Sequence, residues 1–282
     1  MTKFQWTAIL IAIFAVVGLY AATEKQFFGP PKKSNPAPVA TTSPEELSID
    51  TILFHAKQHL TPQQITRLNF LENSISRGDV KNQQLAIDKQ LAGFWGDSAK
   101  IFEPYAWYTG EAARLENSEK SLTFAAHLFL DNLMEQNDPQ TKQWEALQAK
   151  DLFERSLKIN PDNDSSKVGL GAVYLFGGVA MPMQGIGMIK EVADKNPDNA
   201  YAQWTLAQAS VLSGQLDKAA ERLQKVIQLK PKNINAYLLA AGVQEQMGHK
   251  AEATNWYTKL LPLVNSSELK KEIEARIAEL KK

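Results

Sequence analysis

The sequence predicts an all-α protein: an N-terminal transmembrane helix, a disordered linker, and an α-solenoid closed by a C-terminal capping helix. Three observations predict it. Asn160-Pro161-Asp162-Asn163, Asn196-Pro197-Asp198-Asn199 and Lys230-Pro231-Lys232-Asn233 recur at intervals of 36 and 34 residues. A period near 34 with proline at the turn marks a stack of helical hairpins. Apolar residues recur at helical spacing through most of the chain, and no stretch alternates as a strand would. Ahead of this, an apolar run, Trp6–Ala22, leads into a proline-rich segment.

Residues 1–23 are expected to form a transmembrane signal anchor. The run Trp6–Ala22 is apolar except for Thr7, at the short end of what crosses a bilayer. Trp6 and Tyr20 stand near its two ends, where aromatic belts sit. A cleaved secretory signal is the alternative. Lys25, Lys32 and Lys33 follow the run and Lys3 precedes it, a count that favours a cytosolic C-terminal bulk. A short cap before the first span is, however, the layout of a signal anchor, which exports the chain beyond it. The expected location is therefore a single-pass membrane protein with its C-terminal part on the periplasmic or exported side. The chain has no cysteine, so redox compartment does not decide the orientation.

Residues 24–44 hold Pro30, Pro31, Pro36, Pro38 and Pro44 among small polar residues and are expected to be an extended, disordered linker. Residues 45–117 read as an N-terminal module of three or four helices. Leu47, Ile52, Leu53, Ala56 and Leu60 suit one helical face, and Thr61-Pro62-Gln63-Gln64 is a capping box with proline at the first helical position. Ile65, Leu68, Leu71 and Ile75 continue at helical spacing, and Asp79 opens a helix carrying Leu85, Ile87, Leu91 and Phe94. The aromatic cluster Phe94, Trp95, Phe102, Tyr105, Trp107 and Tyr108 is expected to pack the junction with the repeats. A docking surface is its other reading.

Residues 118–265 carry the repeats, about four, the first elongated. Leu122, Ala125, Ala126, Phe129 and Leu133 lie on one helical face, with Asn117 or Ser118 as its cap, and Asn137-Asp138-Pro139 is a turn signal. Ala149, Phe153 and Pro161 complete that unit. In the third unit Leu206, Ala207 and Ser210 suit a first helix and Gly214 marks the hairpin tip. Ala219, Leu223 and Val226 line a second helix, and Pro231 ends it, since proline cannot continue a helix. Gly248, Ala253, Tyr257 and Leu260 repeat these offsets. Leu170-Gly171 with Tyr174, then Gly185, Ile189 and Val192, precede them, with two extra residues near Gly177-Gly178. Residues 266–282 form an amphipathic cap: Leu269, Ile273, Ile277 and Leu280 on one side, charges on the other, and Glu272 and Arg276 spaced for an i,i+4 pair.

Residues 165–265 resemble the tetratricopeptide repeat family, whose pattern is roughly W-x2-L-G-x2-Y followed by Ala, an aromatic and Pro. Leu170-Gly171 with Tyr174 matches well; Trp204 is displaced by one, and Gly185 stands where alanine is usual. The resemblance implies a binding scaffold. Its groove positions, projected onto this chain, select Val168, Ala172, Leu175, Tyr201, Trp204, Gln208, Asn235, Leu238 and Glu245. That lining suits an amphipathic helix or an extended segment with apolar anchors. It lacks the Lys and Asn of the carboxylate-clamping subclass, where this chain has Val168 and Ala172. The layout also resembles small membrane-anchored repeat proteins of bacterial envelope assembly and cytochrome c maturation.

No chemistry is indicated. His55 and His59 have the spacing of two metal ligands on a helix but lack a third. The glycines at 177, 178, 185 and 187 are not followed by the Lys-Ser/Thr of a phosphate loop. No catalytic residue, cofactor or metal is expected. The formal net charge of zero argues against a nucleic-acid partner. The expected function is a membrane-tethered scaffold, not an enzyme, holding a protein or peptide in an apolar concave groove. The alternative is a self-associating homo-oligomeric component of a membrane assembly.

Overall fold

A computed structural model describes residues 47–74 and 80–282. The described residues form one compact unit. Its helices are α1 (Ile49–Lys57), α2 (Pro62–Glu72), α3 (Val80–Gly93), α4 (Phe102–Glu116), α5 (Glu119–Leu133), α6 (Pro139–Ile159), α7 (Asp164–Phe176), α8 (Pro182–Lys195), α9 (Ala200–Leu212), α10 (Leu216–Leu229), α11 (Ile234–Gln246), α12 (Lys250–Leu260) and α13 (Ser267–Leu280). A π-helical segment, Phe94–Ala99, follows α3, and a 3-10 turn, Leu261–Leu263, follows α12.

Local chemistry places the boundaries. Thr61 and Gln64 form the capping box of α2, with Pro62 at its first position. Ser118 caps α5, Asp138 caps α6 ahead of Pro139, and Ser266 caps α13. The last residue of each tetrapeptide caps the next first helix: Asn163, Asn199 and Asn233 accept from the amides of Ser166, Ala202 and Ala236. Such caps contribute roughly 1 kcal/mol each. Gly214 and Gly248 turn two hairpin tips at φ +69° and +79°, where a side chain would be strained.

The helices pair consecutively: α5 with α6, α7 with α8, α9 with α10, α11 with α12. Each pair packs on the next through α6–α7, α8–α9 and α10–α11, while α13 covers α12. This is an all-α helical solenoid. α6 spans 21 residues. The two residues added near Gly177-Gly178 fall in the α7–α8 connection.

The stack also extends upstream of the repeat pattern. α3 and α4 form a further hairpin, and α4 packs on α5. Its sequence hides the repeat because the π-helical segment displaces the turn. That segment ends on Lys100 at φ 56°, with Ile101 N–H donating to the Trp95 carbonyl at 3.0 Å. Phe94 and Trp95 are buried there with Leu68, Leu71, Ile87 and Leu91, and Trp107 packs on Trp144 with ring centroids 6.2 Å apart. The aromatic cluster is therefore divided: Phe102 and Trp107 pack on the repeat core, while Phe94, Trp95, Tyr105 and Tyr108 pack within the N-terminal module.

Four apolar clusters follow one another along the stack. The largest joins α4–α7 around Leu122, Phe129, Leu152 and Phe153. A smaller one links α7–α9 through Val168, Ile189, Val192 and Leu206. The last joins α9–α13 around Ala219, Leu223, Leu260 and Ile273. Burying a Leu or Phe fully stabilises by roughly 1.5–3 kcal/mol, so the fold is held by these layers more than by surface ion pairs.

Several expectations are corrected or fall elsewhere. The membrane span at residues 1–23, the linker at 24–44, Ile75 and the Asp79 cap lie outside the described residues. Among the described residues no helix is long and apolar enough to cross a membrane, so the single-pass membrane localisation does not stand. His55 is on α1, but His59 lies beyond its end, so the two do not share a helix face. Arg276 does not pair with Glu272. Its guanidinium reaches Glu245 on α11 instead, with Nε 3.2 and 3.0 Å from the two carboxylate oxygens, and also Glu279 at 2.8 Å.

Candidate partner-binding face

The first helices of the repeats, α5, α7 and α9, lie side by side, and the residues projected as a groove distribute unevenly on them. Val168 and Ala172 are buried, at 0% and 3% exposure. They belong to the core and cannot meet a partner in this conformation. Ala172 lies in the larger upstream cluster, and Val168 in the one that takes in Tyr201. Tyr201 reaches back past α7, its ring 5.5 Å from that of His127 on α5. His127 in turn stacks edge-on against Phe153 at 5.1 Å and shares a 2.9 Å hydrogen bond with Ser165. Small residues on α7 allow aromatic groups from the helices on either side to meet across it.

Electrostatics agrees with this packing. Burial, with the Asp131 carboxylate nearby, holds the Tyr201 hydroxyl well above its ordinary value. Burial also holds the His127 imidazole below its ordinary value, partly offset by Asp131. At neutral pH the His127–Tyr201 contact is therefore a neutral, apolar seam and not a charged one.

Further along, the face opens. Leu175, Trp204, Gln208 and Leu238 are half-buried and Asn235 is exposed. Glu245 is engaged by Arg276, which docks the terminal helix, so it serves the cap and not a ligand. Tyr201 and Trp204, one turn apart on α9, form one wall of an open recess of about 590 Å³. Val226 and Leu229 at the end of α10 and the turn Lys230-Pro231-Lys232-Asn233 form the other wall. Trp204 also packs on the downstream core, so it presents one part of its ring to solvent and anchors the other.

Sequence reasoning missed His127, Ser165 and the turn residues of this recess. A signal for the turn was present. The third tetrapeptide departs from its two predecessors, with Lys230 and Lys232 where they have Asn and Asp.

A family profile described as tetratricopeptide repeat matches residues 210–271, which include the Val226–Asn233 side of this recess but not Tyr201 or Trp204. Over those residues the chain is similar to the tetratricopeptide repeat family. No curated protein matches the chain. Among solved structures, MamA residues 41-end from Desulfovibrio magneticus RS-1 is similar at 23% identity and TM-score 0.46, over 67% of this chain and 97% of that one. TTC0263, a tetratricopeptide repeat protein of Thermus thermophilus, is similar at 16% identity and TM-score 0.49, over 71% and 98%. YrrB, a tetratricopeptide repeat protein with an unusual peptide-binding site, is similar at 16% identity and TM-score 0.43, over 74% and 97%.

Proposed function

We propose that this protein is a tetratricopeptide repeat scaffold that binds a protein or peptide segment through the downstream half of its first-helix face. The observation that carries the reading is the open recess beside Trp204. A solvent-facing tryptophan wall on a rigid helix is a surface that an apolar side chain of a partner fills, and large aromatics dominate interface energetics. Leu175, Gln208, Asn235 and Leu238 do not line the recess and are the other projected positions left half-buried or exposed on α7, α9 and α11. The surface supplies apolar contact with a few amide partners and no grouping suited to bond making or breaking, so its output is association.

The test is Trp204→Ala, read by binding of short peptides to the full chain and by its melting curve. Truncating a central aromatic costs about 2 kcal/mol or more, so affinity for peptides with an apolar anchor is expected to fall roughly thirtyfold. Because Trp204 also touches the downstream core, some loss of stability accompanies it, expected to be smaller than that of overpacking Ala219. A variant that melts early while binding peptides normally would place Trp204 in the core alone.

A further inference from the structure

The two upstream tetrapeptides are built for the fold. Asn160 and Asn196 accept from the amides of Asp162 and Asp198 at 3.0 and 3.1 Å, closing the turn. Asp162 pairs with Lys195 at 3.4 Å, and Asp198 pairs with Lys225 at 2.6 Å. The third turn keeps its backbone bond, Asn233 N–H to the Lys230 carbonyl at 3.0 Å, and keeps Asn233 as a helix cap. It gives up the rest. Lys230 has no side-chain acceptor for the turn, and Lys232 reverses the charge at the aspartate position. Lys259, one 34-residue period after Lys225, therefore has no carboxylate in that register and lies instead over the Trp256 ring at 4.7 Å.

These changes bring the fold no visible gain. Lys230 and Lys232 are exposed, and among the described residues neither forms an ion pair with a carboxylate. What they do line is the recess beside Trp204, whose wall contains no acidic residue. The nearest acid in sequence, Asp198, is already neutralised by Lys225. An apolar floor with unneutralised lysines at its rim is complementary to an apolar side chain flanked by carboxylates.

We infer that the recess selects an acidic peptide segment, one with an aromatic or aliphatic anchor between Asp or Glu residues. This rests on the reading above that the Trp204 face binds a peptide, and adds the charge of its ligand. The anchor sits against Trp204 and Pro231, and the flanking carboxylates meet the Lys230 and Lys232 ammonium groups. Exposed ion pairs contribute little singly, so the lysines act mainly as a filter. They attract acidic segments and repel basic ones, an effect that salt weakens.

The test uses the full chain and three labelled peptides that share one phenylalanine anchor, with glutamate, glutamine or lysine flanks. Binding is followed by fluorescence anisotropy at low and at physiological salt. The glutamate peptide is expected to bind best, and Lys230→Glu with Lys232→Glu to weaken it about tenfold, two rim pairs being lost and replaced by repulsion. The same double variant is expected to bind the lysine peptide best, with an unchanged melting curve. Lys232→Asp restores the repeat's own residue and should weaken the glutamate peptide while leaving the protein at least as stable. Equal binding of all three peptides, or a preference untouched by these variants, would overturn the acidic selectivity and leave the Trp204 reading intact. Binding of none of them, with Trp204→Ala equally inert, would overturn both.

Discussion

Gly171 on α7 and Gly185 on α8 face one another with no side chain between them. A Cβ placed on Gly185 would stand 2.3 Å from the Gly171 carbonyl oxygen, and one placed on Gly171 would stand 2.8 Å from that of Gly185. Both obstacles are backbone, which cannot swing aside. The contact explains why this repeat has glycine where the pattern has alanine: its two helices approach more closely than a methyl group allows.

Gly185→Ala is therefore expected to destabilise the protein by roughly 1–3 kcal/mol, the usual cost of overpacking. Gly187, two residues on in the same helix, has nothing within 4 Å of the corresponding Cβ position. Gly187→Ala should stabilise by about 0.5–1 kcal/mol through helix propensity. Urea denaturation of the two variants should shift in opposite directions. A shared direction would mean that the α7–α8 crossing is wider than described.

Ala219 and Ala253 mark the corresponding crossings of the next two hairpins, and both are fully buried. Leucine at either position should cost roughly 1–3 kcal/mol. Lys218→Leu, on the exposed side of the same helix as Ala219, should stay within about 0.5 kcal/mol of the parent protein. Denaturation midpoints that fail to separate Lys218 from the two alanines would contradict this helix register.

The terminal helix is held at Arg276. Arg276→Ala removes the fork on Glu245 and leaves that half-buried carboxylate without its cation. Because the guanidinium is itself about half exposed, at 47%, the loss is expected to be only about 1 kcal/mol. Glu272→Ala should do almost nothing. Comparable losses from the two would favour the local helix pair instead of the contact across helices.

Glu145 gives the fold a pH dependence. Its side chain is fully buried on α6, one oxygen accepts from Asn132 at 2.6 Å, and the other has no partner. Burial pushes its carboxyl up from 4.5 to about 7, with the Asn132 bond opposing. The folded state therefore holds this proton more tightly than the unfolded chain. The stability it contributes is complete below about 4.5 and lost as pH rises through about 7. Relative to Glu145→Gln, which cannot ionise, the parent protein is expected to lose roughly 2–3 kcal/mol between those limits. Asp88, raised to about 6 mainly by burial, is common to both proteins and cancels in the difference. Parallel pH profiles of the two proteins would show that Glu145 is not buried as a neutral acid.

The helix boundaries and the hairpin order were legible in the residues themselves. The Thr61–Gln64 capping box, a cap at Asn117 or Ser118 and another at Ser266, and the prolines at 161, 197 and 231 act within about a turn of where they stand. Their effect is set by neighbours in sequence, so a single chain displays it. The hairpin of α3 and α4 was not legible, because the π-helical segment at Phe94–Ala99 breaks the spacing on which repeat recognition depends.

The face offered to a partner was decided only by packing. Val168 and Ala172 were projected onto the groove, yet both are buried in the core, Val168 in the cluster against which Tyr201, from the following repeat, packs as it reaches His127. Arg276 lies one turn from Glu272 but bonds Glu245, because docking α13 brings a carboxylate from another helix to its fork. A repeat pattern states which side of a helix a residue occupies. Whether that side stays open depends on the size and reach of side chains on other helices, and these become neighbours only when the stack has formed.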